Sequence, residues 1–246
     1  ANQLAFDAGR VWMAVPEKIT ALIAQHQRPT TQRPQSLHAA LEVYVPRLTA
    51  YQNAAYAKQF TQLIQQLSQA EQRLQPGSEQ LSLEAAHSLY KLMAYKDEYE
   101  VARLYSEPAF MEQLQQQFEA GFEVNFHMAP PWISRLGSTG RPLKRQLGGW
   151  MLKFMPGLAK GKALRGTAFD LFGYQAERKM ERELRDQFMH QLELLSHHLT
   201  ADHFDLALQY VKIPQRIRGF GPVKHAAVEQ ARKEQAQLIA KGVFLN

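Results

Sequence analysis

Hydrophobic side chains recur along this chain at alternating steps of three and four, the spacing that lines up one face of an α-helix. Between residues 48 and 74 the stripe runs through Tyr56, Phe60, Leu63, Leu67, Ala70 and Leu74, and predicts one long helix packed lengthwise on a neighbour. Residues 75–78, QPGS, break it, and Ser82 then suits the cap of a second helix reaching Tyr105. Together they predict an antiparallel hairpin. A further stripe, Met180, Leu184, Phe188, Leu192, Leu195 and Leu199, carries charges on its opposite face and predicts a third long helix.

The remaining pattern fills in around these. A helix over residues 2–13 precedes Pro16, which suits the first turn of a second helix ending before the linker QRPTTQRPQS at residues 27–36. Pro108 opens a short helix to about Phe118, and GFEVNFHMAPPW, residues 121–132, alternates apolar and polar side chains like a short strand. Residues 133–173 are rich in glycine and basic groups and predict one helix, around residues 150–155. Thr200 caps a helix that stops before Pro214, and Pro222 starts the last, ending near Gly242. The fold class is therefore mainly α: a multi-helix domain with a long antiparallel helical hairpin and an irregular glycine-rich basic segment. Residues 1–26 read as N-terminal helices or the end of a preceding domain, and residues 27–246 as the helical domain proper.

At 246 residues, 45% hydrophobic and 21% charged, the chain has the composition of a globular protein rather than a disordered one. No apolar run approaches the roughly 18 to 20 residues that span a bilayer, and the start lacks the order of a signal peptide, so a soluble cytoplasmic protein is expected. With zero cysteines, disulfides, thiolate catalysis and cysteine ligation of zinc or iron–sulfur clusters are excluded within this chain. The chain opens ANQLAFDAGR, without a methionine and already in the middle of an amphipathic pattern through Leu4, Ala8 and Val11. A fragment starts this way, and so does a protein trimmed of its methionine.

Asp97 carries the sharpest chemical signal. It interrupts the stripe Tyr90, Met93, Asp97, Val101 and Leu104, where an unpaired carboxylate would cost several kcal/mol. A cationic or hydrogen-bonding partner is implied, and Arg218 is the first candidate, because RIRGFGPVK at residues 216–224 brings three cations and two glycines to a helix start, where backbone N–H groups favour an anion. A ligand phosphate is the alternative anion. Residues 135–165 hold eight Lys and Arg and no Asp or Glu. Arg141, Lys144, Arg145, Lys153, Lys160, Lys162 and Arg165 are its candidates for docking an anion or an acidic partner. A solvated basic surface is the plainer reading, and nucleic acid ranks lowest, since no stacking platform or groove-reading motif accompanies the charge. His197, His198 and His203 match no standard metal spacing, and no GxSxG, HExxH or Walker A loop occurs. No catalytic residue and no metal ligand is assigned.

Five stretches carry a family resemblance: YKDEYEVARLY from Tyr95, NFHMAPPW from Asn125, GRPLKRQLGGWML from Gly140, FDLFGYQAERKMER from Phe169 and IRGFGPVK from Ile217. They resemble the C-terminal helical region of the large fused bacterial indolepyruvate ferredoxin oxidoreductases, in the 2-oxoacid:ferredoxin oxidoreductase superfamily. NQLAFDAGR resembles the helix by which the preceding γ-type domain hands over to that region. The resemblance implies a parent enzyme that oxidatively decarboxylates aryl 2-oxoacids to acyl-CoA with thiamine diphosphate and magnesium, passing electrons through iron–sulfur clusters to ferredoxin. The GDG-type magnesium motif belongs to an upstream domain and does not occur here. The resemblance therefore implies a non-catalytic module with no cofactor of its own. Its expected partners are the upstream domains of the same polypeptide and possible contacts with ferredoxin or coenzyme A, within a homo-oligomeric parent and away from membranes. A free-standing helical adaptor for an acidic protein or nucleic acid is the alternative.

Overall fold

A computed structural model describes residues 2–26, 33–118, 121–128 and 145–243. The chain is mainly α-helical and divides into two compact units, residues 1–34 and 35–246. The first holds α1 (Asn2–Ala14) and α2 (Pro16–His26), with Pro16 at the first helical position of α2. Residues 27–32 of the linker lie outside the described part.

In the second unit, Ser36 caps α3 (Leu37–Tyr51), its hydroxyl accepting from Ala39 N, and Asn53 caps α4 (Ala54–Leu74) in the same way through Tyr56 N. The helix expected across residues 48–74 is therefore two helices. Asn53 offers its side-chain oxygen to the backbone in place of a helical bond, and the chain turns at Gln52 and Asn53. α4 and α5 (Gln80–Met93) form the antiparallel hairpin. Its joint is made by Glu71, wholly buried, whose carboxylate accepts from Ser78 Oγ (2.7 Å), Leu81 N (2.9 Å), Ser82 N (2.8 Å) and Ser82 Oγ (2.7 Å). Glu71 thus satisfies the free N–H groups at the start of α5 from the neighbouring helix, and Ser82 sits in the first turn rather than at the cap.

The expected continuation of α5 to Tyr105 does not occur. α5 stops at Met93, and α6 (Glu98–Ser106) begins after Asp97, its N-cap, which accepts from Glu100 N at 2.8 Å. The break turns a different face of α6 inward: Tyr99, Glu100 and Ala102 are buried, whereas Val101 is half-buried and Leu104 exposed. Next come α7 (Pro108–Gln117) and the short strands β1 (Phe126–Met128) and β2 (Arg145–Leu147), antiparallel with Phe126 opposite Leu147. A 3-10 turn (Gly149–Lys153), α8 (Met155–Lys160) and a second 3-10 turn (Gly161–Leu164) carry the basic segment. α9 (Ala176–His198), α10 (Phe204–Lys212) and α11 (Pro222–Ala240) complete the fold. His203 rather than Thr200 occupies the N-cap position of α10, without a side-chain capping bond, and Thr200 Oγ1 lies 3.1 Å from its Nδ1.

Among the described residues, two apolar cores result. The larger joins α3, α4, α5, α9, α10 and α11 around Leu48, Phe60, Ile64, Leu89 and Leu192. The smaller, around Ala102, Phe126 and Met155, clamps α6 against α8 and the β-ribbon.

Candidate functional site

Asp97 lies in sequence between Met93 of the larger core and Ala102 of the smaller. Its carboxylate receives Arg165 Nε on Oδ2 (2.6 Å) and Nη2 on Oδ1 (2.8 Å), a bidentate pair with both side chains nearly inaccessible, at 3% and 2% exposure. The partner is Arg165 and not Arg218, which is exposed. Position explains the choice: Arg165 ends the 3-10 turn that packs beside α6, while Arg218 projects from the turn preceding α11. Burial alone would lower the pKa of Arg165, but the Asp97 hydrogen bonds and its other neighbours raise it, so the cation is fixed.

The same geometry gives Arg165 a second role. The last carbonyls of α3 have no helical donor. Arg165 Nη1 donates to Tyr51 O (2.7 Å) and Lys162 Nζ to Ala50 O (2.6 Å), placing two cations at the negative end of the helix. Lys162 and Arg165, candidates for docking an external partner, are thereby committed inside the fold. Lys153 and Lys160 are exposed. Arg141, Lys144 and the side chain of Arg145 lie outside the described residues.

Asp170 organises the loop between Arg165 and α9. It is buried, and it accepts from Gly166 N (2.9 Å) and Gly173 N (3.0 Å), closing residues 166–173 into a tight turn of chain. Burial, with the Asp170 carboxylate nearby, pushes the Tyr99 hydroxyl up to about 12. A side chain on Gly173 would collide with the Asp170 carboxylate, so only glycine closes the loop. The loop turns its apolar groups outward: Phe169 is 74% exposed, and Leu171 and Tyr174 nearly as much. Trp150 and Phe154, packed edge to face at 5.5 Å, are exposed on the preceding turn, and Leu164 lies between in sequence. One ion-paired segment therefore presents six large apolar side chains with Lys153 and Lys160 among them.

A family model described as "Family of unknown function (DUF6537)" matches residues 37–237. The chain belongs to the DUF6537 family. No curated protein and no solved structure matches it. The DUF6537 match opens at the first residue of α3 and closes within α11, so Asp97, Arg165, Asp170 and the RIRGFGPVK turn all lie inside it.

Among the described residues, no group of three or more His, Asp or Glu side chains is placed to hold a metal ion, and no helix is long and apolar enough to cross a membrane. His197 and His198 sit in the last turn of α9. Sequence reasoning missed Glu71 and Asp170. A signal existed for the helix break: Asp97 followed three residues later by Glu100 is the spacing of a capping box.

Proposed function

We propose that this DUF6537 chain is the non-catalytic C-terminal module of an indolepyruvate ferredoxin oxidoreductase, packed against the catalytic domains through the apolar face of residues 149–174. One observation carries the reading: Trp150, Phe154, Phe169, Leu171 and Tyr174 are exposed on a segment that Arg165, Lys162 and Asp170 hold in place. Large exposed apolar groups on a fixed scaffold are the mark of a packing surface, whereas scattered single residues are ordinary. The resemblance of YKDEYEVARLY, FDLFGYQAERKMER and IRGFGPVK to the oxidoreductase region supplies the identity of the neighbour.

In this reading thiamine diphosphate, magnesium and the clusters belong to the other domains, and Lys153 and Lys160 border the face where an acidic ferredoxin or coenzyme A would approach. The test has two parts. The isolated chain, given 2-oxoacid, thiamine diphosphate, magnesium, coenzyme A and ferredoxin, gives no turnover. Phe169→Ser with Leu171→Ser in the complete enzyme makes the module susceptible to proteolytic release while leaving its own melting temperature unchanged. Turnover by the isolated chain, or an unaltered proteolysis pattern, would overturn the reading. Charge on an otherwise apolar face also favours a second reading, an adaptor for an acidic protein, for which the same variant loses capture of that partner instead.

A further inference from the structure

With Asp97 bound to Arg165, the cations of RIRGFGPVK need another account. Arg216 pairs with Glu234 at 2.6 Å, and Lys224 pairs with Glu181, which also receives Arg178. Arg218 has no carboxylate within ion-pair distance among the described residues.

Arg218 borders a cavity of about 350 Å³ between the end of α5, α9 and the turn before α11. Leu92, Tyr95, Leu184, Ile217 and Phe220 form the apolar part of its lining. The charges around it do not balance: Glu181 is taken by Arg178 and Lys224, leaving Lys91, Lys96 and Arg218 against Glu177. Lys91 Nζ donates to Pro214 O (3.1 Å) and Gln215 O (2.8 Å), and its third N–H remains for another acceptor. Burial, with Arg218 and Lys224 nearby, pushes Lys91 down to about 8, as expected of cations gathered without a counter-ion.

The turn itself is shaped for this. Gly219 has φ +101° and Gly221 φ +56°, in the region that side chains avoid, and a Cβ on Gly219 would lie 2.6 Å from Val223 Cγ1. Glycines at both positions set Phe220, 78% exposed, at the cavity mouth beside Arg218.

We propose that this cavity binds a small organic anion, a molecule with an aromatic or branched apolar body and one carboxylate or phosphate head. The body lies between Tyr95, Leu184, Ile217 and Phe220, and the head meets Lys91 and Arg218. The size is that of a small-molecule site, whose usual volume is about 300 to 1,000 Å³. An inorganic anion would leave the apolar walls unused. The inference is independent of the packing face, which lies on residues 149–174.

The test titrates the 246-residue chain with naphthalene-1-carboxylate, 1-naphthyl phosphate and the neutral naphthalene-1-carboxamide, following backbone amides by NMR. At least one of the two anions binds saturably, shifting Ile217, Gly219 and Gly221, and the amide binds at least about 10-fold more weakly. Which anion binds assigns the head group. Arg218→Glu lowers affinity by about 10-fold or more, Phe220→Ala lowers it several-fold, and both exposed-site variants keep the parent's melting temperature. Lys91→Met gives a second charge test if Arg218→Glu does not fold. Failure of both anions to saturate below about 5 mM, equal binding of the amide, unchanged affinity in the folded charge variant, or shifts confined to other residues would overturn the proposal.

Discussion

The guanidinium of Arg165 lies 3.8 Å from the ring centroid of Tyr51 and donates to that residue's carbonyl oxygen at 2.7 Å. One side chain thus stacks on the last residue of α3, closes its C-terminus and neutralises the cap of α6. Replacing it by lysine would keep the charge but lose the planar fork that meets Asp97 and Tyr51 together.

Glu71 should rank with Asp97 among the costly carboxylates. Glu71→Ala strands the N–H groups of Leu81 and Ser82 and both hydroxyls, for an expected loss of about 2 to 4 kcal/mol. Glu71→Gln keeps the shape and part of the bonding and should lose clearly less. Urea midpoints check both.

Two glycines in the basic segment should behave oppositely. A Cβ on Gly161 would lie 2.6 Å from Tyr99 Cε1, so Gly161→Ala must displace a buried ring, at a cost of about 1 to 3 kcal/mol. Nothing lies within 4 Å of the corresponding atom on Gly157, inside α8. Gly157→Ala should be neutral or stabilise by up to about 1 kcal/mol. Thermal melts of the two variants distinguish them.

Stability should pass through a maximum on the alkaline side. The folded pKa of Lys91, about 8, lies below its ordinary 10.5, so between those values the unfolded chain binds more protons and stability rises with pH. The cost of holding that charge is fully present below 8 and relieved above it. Burial raises Tyr51, Tyr56, Tyr95 and Tyr210 above their ordinary 10.0, so beyond that pH the unfolded chain ionises first and stability falls. Urea midpoints should climb from about pH 7.5 to 9.5 and then drop. Lys91→Met should remove the climb and keep the drop.

If, as proposed, the chain is a module of a ferredoxin-reducing enzyme and its exposed lysines guide an acidic ferredoxin, Lys153→Glu with Lys160→Glu in that enzyme should slow ferredoxin reduction and spare reduction of a small neutral dye. Salt should mimic the change, since the screening length falls from about 10 Å at 0.1 M to about 3 Å at 1 M. A role in coenzyme A binding would instead weaken apparent coenzyme A affinity with either acceptor. Unchanged kinetics for both would leave these lysines as solvated surface.

Much of the helical frame was legible because it depends on local spacing. The stripe from Tyr56 to Leu74 lies in α4, that from Met180 to Leu195 lies in α9, and QPGS makes the turn between α4 and α5. Asp97 was legible as a buried carboxylate for the same reason, an odd residue in an apolar pattern. The break beside it was not, because Met93, Asp97, Val101 and Leu104 keep helical spacing across a junction where Tyr99 and Ala102 take over the buried face. Its partner was not legible either. Arg165 is 68 residues away on a segment without periodicity, and only the three-dimensional path distinguishes it from the seven other cations of residues 135–165.

Asp97 and Arg165 form one buried unit that fixes the basic segment to the helical frame. A double-mutant cycle of Asp97→Ala and Arg165→Met, read by urea midpoints, tests it most directly. Each single change should cost about 3 to 5 kcal/mol, because it leaves a buried charge without its partner. The double variant should cost less than the sum by about 2 to 3 kcal/mol. Losses that add to within about 0.5 kcal/mol would contradict the pairing.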